Sequence, residues 1–73
     1  MKLDGLSHGE RFIVDWQYHM AGGFKQALVE AMCRADDTNL AKLALAFPEE
    51  TEAFILYSRK DGWWPDLQNK ITN

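Results

Sequence analysis

"FKQALVEAMCRA", residues 24–35, decides how this chain folds. Phe24, Ala27, Leu28, Ala31, Met32 and Ala35 fall at i, i+3, i+4, i+7, i+8 and i+11, the repeat that stacks side chains along one face of a helix. The spacing predicts a helix whose stripe faces a core, with small alanines that let a second helix approach closely. Lys25, Gln26, Glu30 and Arg34 then cover the outside, Glu30 and Arg34 as an i, i+4 ion pair. Mid-helix beside Met32, Cys33 reads as a small semi-buried hydrophobe.

Upstream, Ser7-His8-Gly9-Glu10 has the S-x-x-E spacing of a capping box, so a helix should begin near residue 8. Phe12, Ile13, Trp16 and Met20 recur at helical period and should face inward, Trp16 as a core residue, while Arg11, Asp15 and Gln17 look out. Gly22 and Gly23 should end this helix, expected over residues 8–20, because glycine takes the left-handed conformation past a helix end without a Cβ clash.

Downstream, Asp36 or Asp37 should cap a third helix with Leu40, Leu43, Ala44 and Phe47 on its inner face. Pro48 disfavours the helical conformation at Phe47 and suits the first position of a fourth helix, expected from 48 to about 60. Glu49, Glu50 and Glu52 fall in its first turns, where exposed N–H groups favour carboxylates. That helix should bury Ala53, Phe54 and Tyr57, with help from Leu56, and close at Gly62. A last helical turn should run from Pro65 to about Ile71, with Leu67 and Ile71 on one side. No period-two alternation argues for strands. The expected fold is all-α: a small bundle of about four short helices with a C-terminal helical turn, forming one domain over residues 1–73.

A chain of 73 residues supports one marginal core, so its large aromatics weigh heavily in stability. Its 47% hydrophobic and 26% charged residues mark it as globular rather than disordered. Cys33 is the single cysteine, which excludes an intrachain disulfide framework and fits a reducing cytosol. "MKLDGLSHGERF" has no apolar signal region, and no run of 18 apolar residues occurs, so neither export nor a membrane span is expected. A net charge of −3 with scattered Lys and Arg argues against binding a phosphate backbone. Only Lys25, Arg34 and Lys42 offer a thin basic face.

Catalytic and cofactor chemistry finds little footing. His8, His19 and Cys33 match no metal-ligand spacing, and "AGGF" lacks the spacing of a phosphate-cradling loop. Asp36/Asp37 and Glu49/Glu50 are explained by caps and helix starts, and so short a chain is expected to lack a pocket of several hundred Å³. The expectation is a non-enzyme without metal or cofactor.

Binding residues are expected at "KDGWWPDL", residues 60–67. Adjacent tryptophans cannot easily enter the same small core. Trp63, directly after Gly62, is therefore expected to staple the tail, and Trp64, before Pro65, to face outward as a partner anchor. The alternative, both half-buried as a clasp, stays open. Asp61 and Tyr57 complete the expected partner-binding group.

The stretch "ADDTNLAKLALAFPEETEAFILYSRKDGWW" resembles short bacteriophage- and prophage-encoded helical proteins over residues 24–64. Those proteins carry an A-D-x-x-N stretch, a leucine-alanine run, F-P-E-E and an aromatic-rich helix ending near G-W. The matching positions here are Ala35, Asp36, Asn39, Leu40, Leu43, Phe47, Pro48, Glu49, Glu50, Phe54 and Tyr57. The resemblance implies a cytosolic protein that binds host or phage macromolecules. Three function classes follow: an inhibitor or redirector of a host machine, a self-associating assembly factor such as a homodimer, and a less favoured nucleic-acid-binding regulator.

Overall fold

α1 (His8–Gln17), α2 (Gly23–Arg34), α3 (Asp37–Ala46), α4 (Pro48–Arg59) and α5 (Trp63–Thr72) make up the fold. The computed structural model describes residues 1–72, and among these there is no strand. The all-α expectation holds, with five helices in place of four and a turn.

The capping box forms as its spacing predicts. Ser7 Oγ accepts from Glu10 N at 3.1 Å, and Glu10 Oε1 accepts from Ser7 N at 2.8 Å. Asp36 caps α3 by accepting from Asn39 N at 2.8 Å, and Pro48 opens α4.

α1 stops three residues earlier than expected, at Gln17, and neither Gly22 nor Gly23 ends it. His19 takes the left-handed conformation instead (φ 57°), and Met20 N and Ala21 N both donate to Asp15 O, at 2.7 and 3.1 Å. This local hydrogen bonding closes the helix, leaves Met20 exposed and frees Gly22 to cap α2. Asp15 is buried rather than outward, its carboxylate accepting from Arg11 Nε at 2.8 Å.

α1 and α4 form the principal contact of the molecule. Gly9 is buried where they meet: a Cβ there would lie 2.6 Å from Glu49 O and 2.9 Å from Ala53 Cβ. The main core gathers Phe12, Ile13, Leu28, Val29, Met32, Leu40, Ala53 and Phe54. A second cluster joins Val14 to Leu67 and Ile71, with Leu3 and Leu6 against it. Lys2 N donates to Ile71 O at 2.6 Å, tying the N-terminal segment to α5.

α2 buries one edge of the expected stripe, with Val29 added to it. Leu28, Val29 and Met32 enter the core, while Ala27 and Ala31 are exposed and Phe24 is 68% exposed. The apolar arc of this helix is broader than the surface the other helices offer it, and periodicity alone does not say which part of a broad arc is covered. Cys33 is likewise exposed, and Glu30 makes no ion pair with Arg34.

Trp63 and Trp64 are the first two residues of α5, not an extended lead into it. Pro65 is then the third helical residue, a place where its missing N–H is harmless because first-turn N–H groups have no helical partner. Gly62, at φ 84°, makes the left-handed turn that joins α4 to α5.

Candidate functional site

The end of α1, the last turns of α4 and the start of α5 bring five aromatic rings together around Tyr57. Its ring meets Trp16 at 5.4 Å and 81°, Trp64 at 5.9 Å and 72°, and Trp63 at 6.5 Å and 86°. All three are edge-to-face, the arrangement in which a ring's positive edge meets its neighbour's negative face. Tyr18 extends the cluster, its ring 6.2 Å from Trp64. Gln17 Nε2 donates to Tyr57 Oη at 2.6 Å and fixes the hub's polar end.

The backbone explains how two consecutive tryptophans both reach this cluster. Gly62 reverses the chain, Trp63 N donates to Lys60 O at 3.2 Å, and Asp66 N donates to Gly62 O at 3.0 Å. Helical geometry then points Trp63 and Trp64 roughly 100° apart, and both rings meet Tyr57.

Both indoles are half-buried, and both pack against the main core and the second cluster. The expected division between a buried staple and an exposed anchor is therefore corrected in favour of a shared clasp. Trp16 is also half-buried rather than a full core residue, because it closes this cluster. Asp61 lies exposed in the turn, with no ion-pair partner among the described residues. The structure thus gathers Tyr57, Trp63 and Trp64, sets Asp61 on the adjoining turn, and adds Trp16, Tyr18 and Gln17. Those additions had no sequence signal beyond residue type, since α1 and α4 meet across about 40 positions of chain.

Trp63 also forms one wall of a groove of about 430 Å³ beside the cluster, with Glu10, Glu49, Glu52, Ala53 and Leu56 among its lining. A second groove of about 400 Å³ lies between α2 and α3. Both correct the expectation that so short a chain has no room for a concavity of this size. Glu10 is committed to its capping box and to Lys70 Nζ at 3.5 Å.

Near the first groove, His8 Nε2 meets Glu50 Oε2 at 2.9 Å across α1 and α4, a pairing of residues 42 apart that the sequence did not reveal. A carboxylate-held imidazole is half of a nucleophile-activating arrangement. Among the described residues no hydroxyl or thiol hydrogen-bonds to His8, and the pair links the start of α1 to the start of α4. No three His, Cys, Asp or Glu side chains among the described residues gather as a metal-binding group. No helix among them is long and apolar enough to cross a membrane.

Compared with protein-family models, curated proteins and solved structures, the chain finds no match.

Proposed function

We propose that this chain is a non-enzymatic binding protein that docks a partner macromolecule on its aromatic end and thereby blocks or redirects it. One observation carries the reading: five aromatic rings gather where α1, α4 and α5 come together, and while four of them pack against the core, all five keep part of their surface open to solvent. Tyrosine and tryptophan supply large, rigid contact area with a polar tip, and they are enriched at the energetic centres of protein interfaces. Asp61 on the adjoining turn supplies a charged rim. The adjacent tryptophans no longer argue by themselves for an exposed anchor. What argues for a binding face is the partial exposure of the whole cluster.

The absence of a hydroxyl or thiol on the His8–Glu50 pair, among the described residues, favours binding over covalent catalysis. The phage-type resemblance of residues 24–64 supports a host protein as target and the host cytosol as setting. There the exposed Cys33 stays a free thiol.

Affinity capture from a bacterial lysate tests the reading, using the wild type beside Tyr18→Ser and Asp61→Lys. Both substituted positions sit at the open edge of the cluster, Tyr18 at 36% exposure. A protein retained by the wild type and lost from both folded variants is the expected result. Retention of the same proteins by all three chains removes the aromatic face from the account.

A second reading, self-association, is favoured by Leu45, 87% exposed on α3. Light scattering over a concentration series separates the two, since only self-association raises the mass with concentration.

A further inference from the structure

α2 and α3 meet at the Ala35–Asp36 hinge and approach again at their far ends, where the Phe24 and Phe47 rings lie 5.9 Å apart. Between these points the two helices leave a furrow of about 400 Å³ lined by Ala31, Arg34, Ala35, Asn39, Lys42 and Leu43. Its floor is exposed Ala31 and half-buried Ala35 of the α2 stripe. Ala31 and Ala35 carry nothing beyond Cβ, so backbone can come close, and half-buried Leu43 gives the opposite wall an apolar surface.

The rims are basic. Arg34 stands on α2 and Lys42 on α3, both exposed, and among the described residues neither lies within ion-pair distance of a carboxylate. Arg11, Arg59 and Lys70 are paired in this chain of net charge −3, whereas Arg34 and Lys42, like Lys2, Lys25 and Lys60, make no ion pair among the described residues, and Arg34 and Lys42 are the two that face each other across a groove. Even Glu30, one turn before Arg34, does not neutralise it. A small-residue floor between two unpaired cations on opposite rims complements a helix with large apolar side chains on one face and carboxylates flanking them. The 12 residues of α2 span about 18 Å, enough to lie along three turns or so of such a helix.

We propose that the furrow between α2 and α3 is a docking site for an acidic amphipathic helix of a partner protein. The apolar side chains enter over Ala31 and Ala35 against Leu43, and the flanking carboxylates pair with Arg34 and Lys42. The site shares no residue with the aromatic cluster, so it stands or falls independently of the reading above.

The test is fluorescence anisotropy with a fluorescein-labelled helical peptide of about four turns, leucine on one face and glutamate beside it. Controls are the same composition scrambled and the same pattern with lysine for glutamate. The wild-type chain should bind the patterned acidic peptide, and both controls at least about tenfold more weakly. The double variant Arg34→Glu/Lys42→Glu, and Ala31→Phe, which fills the floor, should each weaken binding by a similar factor. All three positions are exposed, so circular dichroism of the variants should match the wild type. Equal binding of the scrambled or lysine peptide, or unchanged binding by the variants, overturns the proposal. So does a concentration-dependent dimer abolished by Arg34→Glu/Lys42→Glu, which would assign the furrow to a second copy.

Discussion

Replacing Gly9 with alanine tests the packing on which every surface of this molecule depends. α1 and α4 form the principal contact, and at Gly9 they are so close that an added Cβ would stand 2.6 Å from Glu49 O and 2.9 Å from Ala53 Cβ. The first obstacle is backbone and cannot rotate away, so the two helices must separate. Overpacking of this kind costs about 1–3 kcal/mol. Alanine's better helix propensity offsets at most about 1 kcal/mol. Because the clash is with backbone, the overpacking cost falls in the upper part of its range, about 2–3 kcal/mol. A net loss of about 1–2 kcal/mol remains, and at about 4–8 °C per kcal/mol for a domain of this size it lowers Tm by roughly 5–15 °C. Thermal melts followed by circular dichroism measure it, with Gly23→Ala as the control because nothing lies within 4 Å of a Cβ there. An unchanged or raised Tm for Gly9→Ala refutes the close α1–α4 approach.

The remaining predictions concern the core and the cluster. Thr51 is fully buried and its Oγ1 has no hydrogen-bond partner among the described residues, so Thr51→Val should stabilise the fold by about 1 kcal/mol; a lower Tm contradicts this. Tyr57→Phe keeps the hub ring but loses the 2.6 Å hydrogen bond from Gln17, and chemical denaturation should show a loss of about 0.5–1.5 kcal/mol, with no loss counting against that bond. Trp63→Ala and Trp64→Ala should destabilise comparably, each by about 2–4 kcal/mol, somewhat less than for fully buried aromatics. A melt in which one variant matches the wild type restores the staple-and-anchor division.

Local chemistry was the most legible part of this fold. The Ser7–Glu10 capping box, the Asp36 cap and Pro48 at the start of α4 each involve residues within one turn, and each forms as the spacing indicates. The end of α1 was not legible, because a histidine in the left-handed conformation did what the glycines were expected to do. Pro65 marks a helix start but not its first residue, since a first-turn proline leaves room for Trp63 and Trp64 ahead of it, and a short turn in the sequence becomes the full helix α5. For α2 the period and the Leu28–Met32 edge of the stripe were legible, but not that Phe24, Ala27 and Ala31 stay exposed, since facing is decided by what the other helices cover. At the candidate site, residue type singled out Tyr57, Trp63 and Trp64. Their meeting with Trp16 and Tyr18 depends on the α1–α4 crossing that Gly9 permits, a tertiary fact with no local mark.

The most direct test of the central claim is fluorine NMR of the chain labelled with fluorotryptophan at its three tryptophans, titrated with the protein captured from lysate. Docking on the aromatic end predicts that the Trp63 and Trp64 resonances, assigned by single substitution to phenylalanine, shift or broaden as the complex forms. A complex that forms while all three resonances stay unchanged would contradict the claim and move the binding surface elsewhere on the molecule.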